Sequence, residues 1–110
     1  MRIFIYSRKS KWTGRGESVE NQIAMCRDYI QYNIEDADSA DIIEYEDEGY
    51  SGKNTKRPQF QKMMAEIKKR NCDYLVCYKL DRLGRNIADL ANLIETLNKL
   101  NVSFISIKER

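Results

Sequence analysis

Arg2-Ile3-Phe4-Ile5-Tyr6-Ser7-Arg8-Lys9-Ser10 starts as a run of β-branched and aromatic residues and breaks off into hydroxyls and cations. Residues 2–6 read as a buried strand, and the polar stretch after them as the loop at its carboxyl end. Working outward, the pattern changes period. Val19, Ile23, Cys26 and Ile30 fall at i, i+4, i+7 and i+11, which predicts a helix from about Ser18 to Tyr32 with Ser18 as its N-cap. Ile42, Ile43 and Tyr45 mark a second strand, followed by the Gly-containing loop Asp47-Glu-Gly-Tyr-Ser-Gly-Lys53. Pro58 stands where a helix favours its first-turn proline, and Phe60, Met63, Met64 and Ile67 supply that helix with a buried face. Residues 73–78 read as a third strand, 86–100 as a strongly amphipathic helix and 102–107 as a fourth strand.

Strands alternating with helices of this length imply parallel strands joined by right-handed crossovers. The expected fold is therefore a three-layer α/β sandwich around a mainly parallel four-stranded sheet. Such sheets place function in the crevice beyond the carboxyl ends of the strands. Three segments follow strand ends here: Ser7 to Ser10, Asp47 to Arg57, and Lys79 to Arg85. Each is rich in hydroxyls, glycine or arginine, so polar residues far apart in sequence are expected to converge. Arg8, Arg57, Arg82 and Arg85 all fall in these segments. Planar, permanently charged guanidinium groups bind phosphate oxygens in bidentate fashion, and several aimed at one phosphate stabilise a pentacoordinate transition state. Their field would also ease deprotonation of a serine hydroxyl, for which Ser7, Ser10 and Ser51 are candidates. Asp81, set among the arginines, could orient Arg85 or take part in proton transfer. The plainer reading of Asp81 to Arg85 is a capped helix start with a surface ion pair.

Composition narrows the chemistry. The chain of 110 residues fits one domain with a core of its own and contains no histidine, which removes every Ser-His-Asp arrangement and the commonest metal ligand. Three cysteines, Cys26, Cys72 and Cys77, match no zinc spacing and read as reduced core thiols of a cytoplasmic protein. No apolar run is long enough to span a membrane, and the amino terminus is not a signal peptide. The net charge of +2 conceals segregation: residues 1–16 hold five bases and no acid, 17–50 eleven acids against Arg27, and 51–70 seven bases against Glu66. Two basic blocks would suit a polyanion if folding unites them, with the acidic block facing elsewhere.

Taken together, these motifs resemble the serine recombinases: resolvases, invertases, and the large serine integrases and transposases. Tyr6-Ser-Arg-Lys-Ser10 resembles the family's Tyr-x-Arg-x-Ser, and Ser18 with Gln22 its Ser-x-x-x-Gln. Asp47-Glu-Gly-Tyr-Ser-Gly with Lys56-Arg-Pro58 is similar to its second motif, and Leu80-Asp-Arg-Leu-Gly-Arg85 to its third and most specific. The resemblance covers the whole chain in order. It implies a resolvase-like sheet in flavodoxin-like order, Ser10 as nucleophile and Arg8 as a phosphate ligand beside it. Gln22, Ser51, Arg57, Asp81, Arg82 and Arg85 would complete the site, with Asp47 in support.

In that family the serine displaces a deoxyribose 3′ oxygen and becomes linked to the 5′ phosphate, without ATP, metal or cofactor. The implied partners are double-stranded DNA at specific recombination sites and further copies of the protein, as a homodimer that forms a synaptic tetramer. Ser7 falls at a variable position of the motif, and strand alternation should point it away from Ser10. The Asp-Glu-Gly-Tyr-Ser-Gly wording and the long stretch between Ser10 and Gln22 are most like the large serine recombinases of mobile elements and phages. Trp12 with Gly14 and Gly16 reads either as a mobile loop over the site or as a loop tip without a role.

The family continues past the fourth strand with a long dimerisation helix and DNA-binding domains, so residues 1–110 are expected to be a truncated catalytic domain, weak in DNA binding and inactive in recombination alone. Ile87, Leu90, Leu93, Ile94 and Leu97 form a wide stripe that offers a subunit contact as well as core. Two other classes remain: a catalytically silent DNA-binding or assembly regulator, and a flavodoxin-like or signalling module for a small phosphate compound. The latter would want a glycine-rich turn after the first strand or an acidic cluster at the strand ends, and the chain has neither.

Overall fold

A computed structural model describes residues 1–9, 19–48, 57–79 and 87–108. In chain order these form β1 (Arg2–Lys9), α1 (Val19–Asn33), a 3-10 turn (Ala37–Ser39), β2 (Asp41–Glu48), α2 (Pro58–Lys68), β3 (Tyr74–Cys77), α3 (Ile87–Lys99) and β4 (Ser103–Ser106). The four strands make one sheet in the order β2-β1-β3-β4, and every pairing is parallel. The chain moves from β1 to one side for β2 and then crosses to the other side for β3. The switch point of this flavodoxin-like order therefore lies at β1.

Side-chain alternation on β1 explains the layers. Ile3 and Ile5 face α1, where they pack with Ile23, Cys26, Ile30 and Val76. Phe4 and Tyr6 face the opposite way, onto Met63 and Ile67 of α2, Leu97 of α3, and Leu75 and Cys77 of β3. The sheet is thus covered on both sides, which is why its central strands carry an unbroken apolar run. Cys26, Cys72 and Cys77 are all buried free thiols, as their core reading required. Burial pushes Cys26 and Cys72 up to about 12. No helix among the described residues is long and apolar enough to cross a membrane.

Two boundaries differ from the sequence reading. β1 continues through Ser7, Arg8 and Lys9, and β2 through Asp47 and Glu48, because the two strands stay in register from Arg2↔Asp41 to Lys9↔Glu48. Backbone pairing carries on past the point where the apolar pattern stops, so Arg8 and Asp47 stand on strands and not in loops. The helices also end without glycine. Arg70 (φ 62°) follows α2 and Asn101 (φ 59°) follows α3 in the left-handed region. At each, the chain closes the last turn with backbone bonds, such as Val102 N–H to Leu97 C=O at 2.9 Å.

The wide stripe of α3 is graded along its length. Leu97 is buried, Leu90 and Leu93 are half-buried against the core, and Ile87 at the amino end is 84 % exposed. Its outer end has no place in the core.

Candidate functional site at the carboxyl end of the sheet

Of the residues singled out by sequence, Arg8, Gln22, Asp47 and Arg57 lie within the described structure. Ser10, Ser51, Asp81, Arg82 and Arg85 lie outside the described residues, as do Trp12 and the Ser18 cap.

Strand register sets Arg8 directly opposite Asp47 across β1 and β2. Both are nearly buried, at 6 % and 2 % exposure. Tyr6, two residues before Arg8 on the same face, is wholly buried and reaches diagonally to the same carboxylate: its hydroxyl donates to Asp47 Oδ2 at 2.8 Å. Asp47 then accepts two backbone N–H groups from the first turn of α2, Gln59 onto Oδ1 at 3.1 Å and Phe60 onto Oδ2 at 3.0 Å. A carboxylate out of water is tolerable only when its lone pairs are met, and three donors meet them here.

This geometry reveals an arrangement at the start of α2. Its N-cap position is held by Arg57, which makes no capping side-chain bond, while Pro58 occupies the first turn. A cation is a poor N-cap, because helix amino termini favour negative charge and side-chain acceptors. Asp47 supplies both from another strand, ten residues upstream. Arg57 is thereby left to place its guanidinium 4.0 Å above the Phe60 ring. Phe60 in turn meets Tyr6 edge-on, with ring centroids 5.3 Å apart and planes at 71°.

Arg8 and Arg57 both act electrostatically on the Tyr6 hydroxyl. Burial, and then the hydrogen bond and charge of Asp47, hold the phenol well above its ordinary value; the two arginines oppose that shift. Tyr6 is therefore a permanent donor. The structure brings Arg8, Asp47 and Arg57 to one place around it, although they come from three different elements.

Gln22 has a different position. Fully buried on α1, it accepts the Arg8 N–H on Oε1 at 3.3 Å and donates from Nε2 to the Arg8 carbonyl at 3.2 Å. Its amide thus grips the backbone that carries Arg8. Ser7, on the α1 face and opposite Glu46, is fully buried, and its hydroxyl has no partner among the described residues.

A family model described as the resolvase N-terminal domain matches residues 3–110. This chain belongs to the serine recombinase family. A recombinase-family relative in Bacillus subtilis (strain 168), a putative DNA recombinase, is 30 % identical over 105 residues, which is 94 % of this chain and 20 % of that protein. The transposon Tn552 DNA-invertase BinR of Staphylococcus aureus is 44 % identical over 59 residues, 54 % of this chain and 30 % of its own length. Among solved structures, the N-terminal catalytic domain of TP901-1 integrase aligns at TM-score 0.80 and 31 % identity, over 99 % of this chain and 78 % of that one. The chain thus spans well under half the length of these curated relatives.

Sequence reading places Tyr6 in a buried strand and at the head of the Tyr6-Ser-Arg-Lys-Ser10 motif but gives its hydroxyl no role. The available signal was a phenol at the carboxyl end of an otherwise hydrocarbon run, since a buried tyrosine hydroxyl requires an acceptor.

Proposed function

We propose that the chain is the catalytic domain of a site-specific DNA recombinase whose nucleophile is Ser10. The convergence of Arg8, Asp47 and Arg57 at the carboxyl end of the sheet carries this reading, because Ser10 is the next residue after β1 and only two beyond Arg8. Two guanidiniums whose charges both reach the Tyr6 hydroxyl suit a phosphate and its growing negative charge. The Ser10 Oγ–phosphorus bond forms as the bond from phosphorus to the deoxyribose 3′ oxygen breaks, and the 3′ oxygen leaves as a hydroxyl after taking a proton. The phosphoserine link keeps the bond energy for religation, so neither ATP nor a metal is needed.

Arg82 and Arg85 would add to the positive field, Ser51 would bind phosphate oxygen, and Asp81 would orient Arg85 or handle the proton. Gln22 serves by holding the Arg8 backbone. The full protein would act in the cytoplasm on double-stranded DNA as a homodimer that joins a second dimer in a synaptic tetramer, in the manner of the large recombinases of mobile elements and phages. Residues 1–110 alone would bind DNA weakly and not recombine. A catalytically silent regulator is disfavoured, since it would have no use for the Tyr6-Ser-Arg-Lys-Ser10 and Asp81-Arg-Leu-Gly-Arg85 motifs.

The test is a covalent trap. The full-length protein is incubated with DNA carrying its recombination site, nicked so that cleavage cannot be reversed. Wild type and Ser7→Ala form a protein–DNA adduct and Ser10→Ala does not; an adduct in Ser10→Ala sinks the assignment.

A further inference from the structure

Packing alone does not account for the Tyr6 hydroxyl. A phenylalanine would fill the same space between Phe4 and Phe60, without the cost of removing a phenol from water. The hydroxyl instead meets the one carboxylate oxygen that also takes the Phe60 N–H, at 2.8 and 3.0 Å. That oxygen is therefore held from two directions, and the rotation of the carboxylate is set. Its orientation matters because Asp47 is the cap that Arg57 itself does not provide. A second path runs through the rings, from Tyr6 edge-on to Phe60 and from Phe60 to the guanidinium lying on its face.

We propose that Tyr6 is a positioning residue for the phosphate site: its hydroxyl orients Asp47, Asp47 fixes the first turn of α2, and that turn holds Arg57 in place. This deepens the recombinase reading and rests on it. Tyr6 passes no proton and touches no substrate. Its phenol stays protonated, so the link is insensitive to pH across the neutral range. The arrangement also links Arg8 to Arg57, although one is on a central strand and the other at the start of a separate helix: Tyr6 shares a face with the first and is bonded through Asp47 to the frame of the second.

The experiment uses the full-length protein in four forms: wild type, Tyr6→Phe, Asp47→Asn and the double variant. Tyr6→Phe keeps the ring and its packing, so the fold is retained. Single-turnover adduct formation on nicked site DNA is expected to slow about tenfold in Tyr6→Phe, the worth of one buried hydrogen bond, with DNA affinity unchanged. The double variant should be no slower than Asp47→Asn, since the two residues act in series.

Amide hydrogen exchange supplies a readout independent of catalysis. In Tyr6→Phe the Gln59 and Phe60 amides should exchange faster, while the Arg8 amide held by Gln22 should not change. Wild-type cleavage in Tyr6→Phe overturns the proposal, as does full multiplication of the two single losses. Unaltered exchange at Gln59 and Phe60 overturns it too, whatever the cleavage rate. If wild type itself forms no adduct, the recombinase reading fails, while the exchange data still decide whether Tyr6 governs the α2 cap.

Discussion

The two faces of the sheet are built from different materials. Under α1 the packing is nearly all aliphatic, with Ile3, Ile5, Ile23, Ile30 and Val76 closing around Cys26. Under α2 and α3 it is aromatic and sulfur-rich, with Phe4, Tyr6, Met63 and Cys77 at its centre. Among the described residues, the α1 face buries the tie from Gln22 to the Arg8 backbone and the Ser7 hydroxyl. The α2–α3 face holds the Tyr6–Asp47 pair and opens into a groove of about 620 Å³ between the helices, reaching from Arg57 past Phe60 and Leu93 to Lys68. The difference teaches a division of labour. The α1 face fixes where the strand end lies, while the α2–α3 face carries the charged side chains gathered there, Arg8, Asp47 and Arg57. Both outcomes follow from β1 alternation, which sends Arg8 to the same side as Tyr6.

Core truncations should break the symmetry between the faces most strongly. Ile30→Ala and Met63→Ala each remove a fully buried side chain and are expected to cost about 2–5 kcal/mol in urea unfolding. Only Met63→Ala, beneath α2, should also loosen the Gln59 and Phe60 amides. Equal loosening by Ile30→Ala would mean that the faces are not separate units.

Removing the polar anchors comes next. Asp47→Ala strands three donors and should lose roughly 2–4 kcal/mol. Gln22→Ala frees the Arg8 N–H and carbonyl and should lose about 1–3 kcal/mol. The comparison is sharpened if Asp47→Ala disturbs α2 and Gln22→Ala the end of β1, each without the other.

Alkaline pH tests both faces at once. Cys26 sits on the α1 side and Cys72 on the other, and both thiols move from an ordinary 9.0 to about 12 on folding. Below pH 9 both states keep the proton and nothing is lost. Between about pH 9 and 12 the unfolded chain releases protons that the folded one retains, so stability falls by roughly 1 kcal/mol per pH unit for each thiol. Cys26→Ala and Cys72→Ala should each flatten the decline of melting temperature with pH by a similar amount.

The smallest effect belongs to the surface. The Arg27–Glu44 pair joins α1 to the exposed edge of β2 with both side chains in solvent contact. Glu44→Gln should change stability by under about 1 kcal/mol, and high salt should erase the difference.

Much of this was legible in advance. The order of strands and helices follows from apolar periods of two and 3.6 residues, which are local properties of the chain. On β2, Glu44 and Glu46 of the acidic block are exposed while Asp47 turns inward; residues 10–16 and 51–56 of the two basic blocks lie outside the described residues. Pro58 correctly marked the start of α2. Side-chain pattern alone puts Arg8 and Asp47 in loops, because it reports burial, whereas strand length is set by backbone pairing with a neighbour.

By itself, then, the sequence determined the α/β class, the covered sheet and the cysteines as core, since each depends on spacing or residue chemistry within one segment. The tertiary structure alone decided which partners meet. A helix whose own N-cap is an arginine gives no hint that an aspartate on a neighbouring strand caps it. A glutamine on α1 gives none that it holds a strand backbone, nor does a strand tyrosine that its hydroxyl ends on that aspartate. Those are contacts between residues 12 to 41 positions apart, and only the register of β1 against β2 and the packing of α1 and α2 on the sheet bring them within hydrogen-bonding distance.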